Sequence, residues 1–203
     1  MNDEATKHNQ VTYDQIASLY AERHAGCGRS FPGLMAGFTA RLPRGADIAD
    51  LGCGPAGDGA TFAEAGYRVT GLDRSAGMLA IAAQALPGRV AQADLRSLPL
   101  TTGSLDGIWC CAALLHVPQD QTVTVLDEMR RVLRRGGHLA LVTAVGHGAR
   151  QETVPYAPGR QRWFFYRDPD RLREQLPAAG LQILDLTREA GSRDWFKVLA
   201  RAA

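Results

Sequence analysis

From position 46 onward, apolar residues fall into short runs separated by segments in which they recur every three or four positions. ADIADLG (46–52), YRVTGLD (67–73), RVAQAD (89–94), GIWCCA (107–112) and HLALVTA (138–144) have the strand pattern. GDGATFAEAG (57–66), SAGMLAIAAQAL (75–86) and QDQTVTVLDEMRRVLRR (119–135) between them have the helical one. Strands alternating with helices predict a parallel sheet with right-handed crossovers, which places every strand's C-terminal end on one edge. Ser75 is positioned to cap its helix, and Gly66 and Gly136 to stop theirs, because glycine accepts the left-handed conformation past a helix end.

Upstream, VTYDQIASLYAER (11–23) puts Tyr13, Ile16, Ala17 and Tyr20 on one helical face, and PGLMAGFTARL (32–42) does the same with Leu34, Met35, Phe38 and Leu42. HAGCGRS between them reads as a loop. Downstream, VGHGARQETVPYAPGRQRWFFYR (145–167) shows no regular period. A helix then starts at Asp168 and Pro169, and Pro177 keeps it short or bent. LQILDLTRE and DWFKVLARA close the chain as two strands joined by AGSR, a turn too short for a parallel crossover, so one of them runs antiparallel to the other. The expected fold is α/β: a single doubly wound, Rossmann-like domain whose seven-stranded sheet is mainly parallel, with the last strand antiparallel.

Composition narrows this picture without redirecting it. A chain of 203 residues and 21.9 kDa suits one α/β domain. No stretch of about 18 apolar residues occurs and the polar opening MNDEATKHNQ does not resemble a signal peptide, so a cytoplasmic location is the default expectation. Cys27, Cys53, Cys110 and Cys111 form no zinc-type spacing, which predicts reduced thiols and no metal. Net charge is only +2, yet residues 1–129 carry nine basic and fourteen acidic side chains whereas 130–203 carry fourteen and seven. That asymmetry reads either as a solvated arginine-rich surface or as an anion or nucleic-acid patch.

The chemistry gathers where the strands end. IADLGCGPAGDG (48–59) carries Gly52, Gly54 and Gly57 in the G-x-G-x-x-G pattern of a dinucleotide site, and Asp73, 21 positions past Gly52, can accept hydrogen bonds from ribose hydroxyls. Both features fit NAD equally well. Asp94 after the third strand suits an adenine amino group, and Asp50 before the glycines suits a ligand carrying an ammonium or sulfonium, since a carboxylate there would repel a pyrophosphate.

With these residues assembled, the chain resembles the class I S-adenosylmethionine-dependent methyltransferases, of the small-molecule kind grouped as methyltransferase type 11. The resemblance rests on DLGCGPAG, VTGLDRSAGML, ADLRSLPLTTGSLDGIWC and MRRVLRRGGHLAL over about residues 46–145, with weaker echoes in YDQIASLY and FFYRDPDRLREQL. It implies S-adenosylmethionine as cofactor and S-adenosylhomocysteine as product. Asp50, Gly52, Cys53 and Gly54 match the loop under the methionyl part, Asp73 the ribose ligand, Arg74 and Met78 the adenine lining, and Asp94 and Leu95 the adenine edge. Cys110 and Cys111 match the strand bordering the sulfonium, and the helix with Tyr13 and Tyr20 the lid; Tyr20 is assigned to the cofactor and Tyr13 to the acceptor. Residues 1–45 are then a helical lid, 46–145 the cofactor-binding core, and 146–203 the acceptor-side segment with the closing strands. The third glycine of the family loop falls on Ala56, which predicts a slightly different turn with Gly57 absorbing the change.

Structural alternatives stand beside several of these assignments. Cys110 and Cys111 can be small core hydrophobes, Tyr13 and Tyr20 core packing, and Asp50 and Asp94 turn residues. On the acceptor side His116 is the candidate general base, or else a residue that orders its loop. His147, Tyr156, Arg162 and Trp163 are candidate contacts for a flat or anionic small acceptor. The rival functions are a non-catalytic cofactor-binding module, a nucleic-acid methyltransferase and an NAD-dependent oxidoreductase. CCAALLH stands where base-amino methylation resembles an N/D-P-P-Y motif, which makes nucleic acid an unfavoured partner.

Overall fold

The computed structural model describes residues 2–24, 31–191 and 193–203. Apart from His24, the loop expected over HAGCGRS, with Cys27, lies outside the described residues, as does Ser192 of the AGSR turn. Strands β1 (Asp47–Leu51), β2 (Arg68–Asp73), β3 (Val90–Gln92), β4 (Leu105–Cys111) and β5 (Leu133–Ala144) are parallel, with helices in every connection except that from β3 to β4. With β8 (Leu181–Glu189) and β9 (Trp195–Ala202) they form one seven-stranded sheet of order β3-β2-β1-β4-β5-β9-β8. β9 is antiparallel to both its neighbours, as the short closing turn requires.

Alternation along the strands feeds two buried layers, one on each face of the sheet. Ala49, Leu51, Ile108, Cys110, Leu139 and Leu141 pack against α5 (Thr122–Val132) and α6 (Pro169–Ala178). Ile48, Val69, Trp109, Ala140 and Leu199 face α2 (Pro32–Thr39), α3 (Gly57–Glu64) and α4 (Ala76–Ala85). Trp109, fully buried, packs edge-on to Phe62 at 5.3 Å and sends its indole N–H to Asp58 at 3.0 Å. Each such large apolar side chain contributes about 1.5–3 kcal/mol by leaving water, so the two layers hold the strand ends in fixed register. Ser75 caps α4 by accepting the Met78 N–H, and α6 begins with the Asp168 cap and Pro169 and stops one residue beyond Pro177.

Three elements depart from expectation. The first helix, α1 (Asn2–Arg23), begins nine residues earlier than the periodic stretch, because Thr6, Asn9 and Thr12 are buried against the rest of the molecule and extend its inward face. The helix expected over 119–135 ends at Val132: Leu133 is fully buried and pairs with Leu105 in the sheet, so the backbone leaves the helix before Gly136, which stops nothing. The stretch expected to be irregular contains a hairpin, β6 (Ala149–Thr153) and β7 (Gln161–Phe165), paired antiparallel from Ala149–Phe165 to Thr153–Gln161.

Candidate functional site

β1 lies between β2 and β4, so the chain order reverses beside it, and the C-terminal strand ends open a crevice there. The cavity in this crevice is lined from the sheet side by Gly52, Gly54, Leu72, Asp73, Arg74, Met78, Ala93, Asp94, Leu95 and Cys111. α1 closes the opposite side with Thr6, Asn9, Gln10, Tyr13 and Tyr20, and His116 and Val117 come from the turn after β4.

The glycine loop is shaped by close approach. Gly52 has φ +70°, and a side-chain carbon there would sit 2.3 Å from the Cβ of Ala113, so only glycine lets β1 meet the end of β4. Ala56 takes φ +63° itself, and Gly57 does not absorb the turn; the expectation of an altered loop is therefore corrected, with the buried Ala56 carrying the strain of the left-handed conformation. Ala112, on the cavity wall, is a second alanine of this kind with φ +54°.

Asp73 stands at the end of β2 with its carboxylate at the cavity, accepting the backbone N–H of Gly54 at 2.9 Å and of Ser75 at 2.8 Å. Burial raises its pKa, and those N–H groups pull the other way. Arg74, Met78 and Leu95 line the cavity as expected. Asp94 lines it too, but its oxygens are already engaged: Arg74 donates at 2.6 Å, and Arg96 donates through its backbone N–H and two guanidinium nitrogens. It anchors two arginines at the cavity wall.

Three further cofactor-side assignments change. Asp50 is buried below the loop, away from the cavity lining; burial, then Asp58 and Asp73 nearby, raise its pKa well above the usual range, so no carboxylate is offered to a ligand from there. Cys53 turns its side chain into the core under Gly71, and Cys110 is buried in the α5–α6 layer, where desolvation pushes its thiol up to about 12. Cys111, one residue on, points the other way and lines the cavity. Cys53 and Cys110 are free thiols, and the described residues contain no cluster placed to hold a metal.

On the acceptor side, α1 is laid across the sheet edge by contacts between distant parts of the chain. Asn9 accepts the Trp163 N–H at 2.6 Å and donates to the Trp163 carbonyl at 2.9 Å, and Thr12 donates to the Gln161 carbonyl at 2.8 Å. Asp14 accepts from the Ser75 hydroxyl at 2.7 Å and the Gly77 N–H at 3.0 Å; a Cβ on Gly77 would lie 2.8 Å from the Asp14 carbonyl, so this crossing too needs glycine. Thr6, Asn9 and Gln10 were not among the expected site residues. The signal was present in the helical spacing that leads back from Tyr20 and Tyr13 along the same face.

His116 lies at the cavity with both ring nitrogens occupied. Nδ1 is 3.0 Å from the Trp163 carbonyl, an acceptor only, so Nδ1 carries the proton and Nε2 accepts from the Tyr13 hydroxyl at 2.8 Å. Burial drives its pKa down to about 3, with Arg162 and Arg193 contributing in the same direction. A base whose conjugate acid is that strong has little hold on a proton near neutrality, so the general-base assignment is corrected: His116 orients Tyr13. The turn that carries it is clamped by Arg167, buried at the end of β7, which donates to the carbonyls of Leu114, Val117 and Phe165.

Tyr13 and Tyr20 reach the cavity, their rings edge-on at 5.9 Å. Arg162 sits behind Tyr13, donating to its hydroxyl at 3.0 Å, and Tyr156 packs edge-on to Tyr20 at 6.5 Å. Trp163 contributes its backbone, while its ring stacks on Phe165 at 6.3 Å, outside the cavity lining. His147 is exposed and borders a separate polar cavity with Gln119, Arg167 and Arg171. Trp163, His147, Arg162 and Tyr156 thus all lie outside the lining of the main cavity, the last two packed against Tyr13 and Tyr20.

A family model described as a methyltransferase domain matches residues 48–137. A malonyl-(acyl-carrier protein) O-methyltransferase of Enterobacter lignolyticus is 36% identical over 134 residues, 66% of this chain and 52% of that protein. A trans-aconitate 2-methyltransferase of an Azoarcus species is 41% identical over 109 residues, 51% of this chain and 42% of that protein. The chain thus spans about half the length of these curated relatives. In fold it is similar to a 1,6-didemethyltoxoflavin-N1-methyltransferase of Burkholderia thailandensis, whose structure holds 1,6-didemethyltoxoflavin and S-adenosylhomocysteine. The TM-score is 0.74 at 24% identity, covering 100% of this chain and 91% of that one.

Proposed function

The chain belongs to the class I S-adenosylmethionine-dependent methyltransferases, and from that premise we propose that it transfers a methyl group from S-adenosylmethionine to a small-molecule acceptor. The observation that carries this reading is Asp73 at the cavity beside the Gly52–Gly54 loop. Its carboxylate, already held by two backbone N–H groups, keeps acceptor capacity for ribose hydroxyls. Leu72, Met78, Ala93 and Leu95 offer the apolar bed that an adenine ring needs. The residues present fit the cofactor, with residues 46–145 holding it and α1 and the β6–β7 hairpin forming the acceptor side.

When bound, the cofactor supplies an electrophilic methyl group on a sulfonium. The chain's own task is then alignment and exclusion of water. Gly52 and Gly54 allow close backbone approach, Tyr20 covers Gly54 at ring-contact distance, and Tyr13, fixed by His116 and Arg162, sets the facing wall. α1 seals this wall through its contacts with Gln161 and Trp163, which supports an acceptor of limited size. The related proteins include enzymes named for trans-aconitate and for malonyl-(acyl-carrier protein). Several basic side chains after residue 129 have carboxylate partners, Arg131 with Glu128, Arg173 with Asp170, Arg188 with Asp194 and Arg193 with Glu152.

The test is calorimetry followed by turnover. S-adenosylhomocysteine is expected to bind and NADH not to; the reverse result replaces this reading with an oxidoreductase. Labelled methyl transfer to at least one member of a panel of carboxylates, phenols and amines is expected, and cofactor binding without any transfer would favour a non-catalytic module.

A further inference from the structure

Arg167, two residues past β7, is only 3% exposed and has no carboxylate partner among the described residues. Its Nη1 donates to the Phe165 carbonyl at 2.7 Å and its Nη2 to those of Leu114 at 2.9 Å and Val117 at 2.6 Å, while Nε has no partner. Clamping a turn needs donors; it does not need a charge. Taking a guanidinium out of water costs free energy that carbonyl dipoles offset only in part, and burial alone pushes the pKa of Arg167 down to about 10.

This charge stands at the wall of a second cavity, of about 120 Å³, which shares no lining residue with the main one. The space holds several waters or one small oxyanion. The exposed His147 and Arg171 border it at the surface, and Gln119, Thr122 and Gln175 make the rest of the lining largely polar. Arg171, on α6, likewise has no carboxylate partner among the described residues. Asp168 is the one carboxylate of the lining, and it caps α6 by accepting the Asp170 N–H at 3.0 Å. Two guanidinium groups thus share the lining with a single carboxylate, and one of them is nearly cut off from solvent.

We propose that this cavity is a binding site for a small tetrahedral oxyanion, of the phosphate or sulfate class, held between Arg167 and Arg171. Arg167 acts from the wall through its charge, which at short range in a partly dry site is weakly screened and needs no opening of the turn. Arg171, with a planar fork suited to two oxygens of such an ion, and the Gln175 amide supply the hydrogen bonds. The bound charge offsets the burial of Arg167 and so stabilises the clamp on Leu114 and Val117, the turn that presents His116 to the main cavity.

The experiment follows thermal unfolding of the full chain, free of cofactor, while potassium phosphate replaces potassium chloride at constant ionic strength. A saturating rise of about 3–6 °C is expected once phosphate reaches about ten times its dissociation constant, with sulfate acting in the same way. Arg171→Glu and Gln175→Glu, which place a carboxylate on the lining, are each expected to abolish the saturating rise and to leave S-adenosylhomocysteine affinity within twofold. Arg167→Met is expected to abolish it too; should that variant not fold, the two glutamate variants decide. An equal rise with glycerol 3-phosphate supports the site and assigns it to a phosphoryl group on an organic molecule, whereas a rise with inorganic phosphate alone supports it as a site for the free ion. No rise, a rise that grows without saturating as excluded salts produce, or one that survives both glutamate substitutions overturns the inference. Failure of S-adenosylhomocysteine to bind overturns the methyltransferase reading and leaves this one standing.

Discussion

The two walls of the cavity are built by contacts of different range. On the cofactor wall the decisive hydrogen bonds join near neighbours in sequence, Gly54 and Ser75 to Asp73 and Met78 to Ser75, within consecutive strand–helix units. On the acceptor wall, Asn9 with Trp163 spans 154 residues, Thr12 with Gln161 spans 149, and Tyr13 with His116 spans 103. The first wall forms wherever its units fold against the sheet. The second exists only when both ends of the chain meet over it, and it is also where buried polar atoms are left without partners. A wall built from consecutive units suits a constant ligand; one built where distant segments meet can differ whenever either segment does.

The largest expected effect tests whether the acceptor wall depends on one clamp. Arg167→Met leaves the carbonyls of Leu114, Val117 and Phe165 without their donor, and at about 1–3 kcal/mol for each buried unsatisfied group the loss should reach about 3 kcal/mol. Thermal unfolding should drop by roughly 6–12 °C, at about 2–4 °C per kcal/mol for a chain of this size. A change under about 2 °C would show that the turn holds His116 without it.

Next is the cofactor wall. Asp73→Ala removes hydrogen bonds to ribose that are partly charged, worth about 1.5–3 kcal/mol, so calorimetry should show S-adenosylhomocysteine weakened roughly tenfold or more. Because Asp73 also accepts the Gly54 and Ser75 N–H groups, Asp73→Asn, which keeps an acceptor, should hurt stability less than binding. Unchanged affinity in both variants would take Asp73 out of the site.

The third prediction separates the walls by pH. His116 has its folded pKa pushed down from 6.5 to about 3, chiefly by burial. Between those values the unfolded chain binds the extra proton, so stability falls as pH drops below 6.5, by up to about 1.4 kcal/mol per pH unit from this group. Above 6.5 the penalty vanishes. His116→Gln should flatten that part of the curve of unfolding free energy against pH, and an unaltered slope would assign the acid sensitivity to other groups.

The smallest effect is at Tyr156. Its hydroxyl is buried without a partner, so Tyr156→Phe should change the stability of the ligand-free chain by under about 1 kcal/mol, in the stabilising direction. A clear loss of stability in chemical denaturation would mean that the hydroxyl is held by the neighbouring Arg162.

Much of the cofactor wall was legible in the residues alone. Alternating apolar runs marked β1 to β5, the 21-residue step from Gly52 to Asp73 marked a carboxylate that lines the cavity, Ser75 capped α4, and the short turn before Trp195 forced the antiparallel last strand. These signals are local: a period of two or 3.6, a cap, a turn length, each read within about twenty positions. Only tertiary structure decided that ARQET and QRWFF pair as a hairpin and that Leu133 leaves its helix for the sheet. It also turned Asp50 and Cys110 inward, gave Asp94 to two arginines, and locked His116 between Tyr13 and Trp163. The reason is that an ionisable side chain's role depends on its solvent exposure and on which donors stand beside it. Those donors come from segments that no local period connects, joined only once the two ends of the chain have packed across the sheet edge.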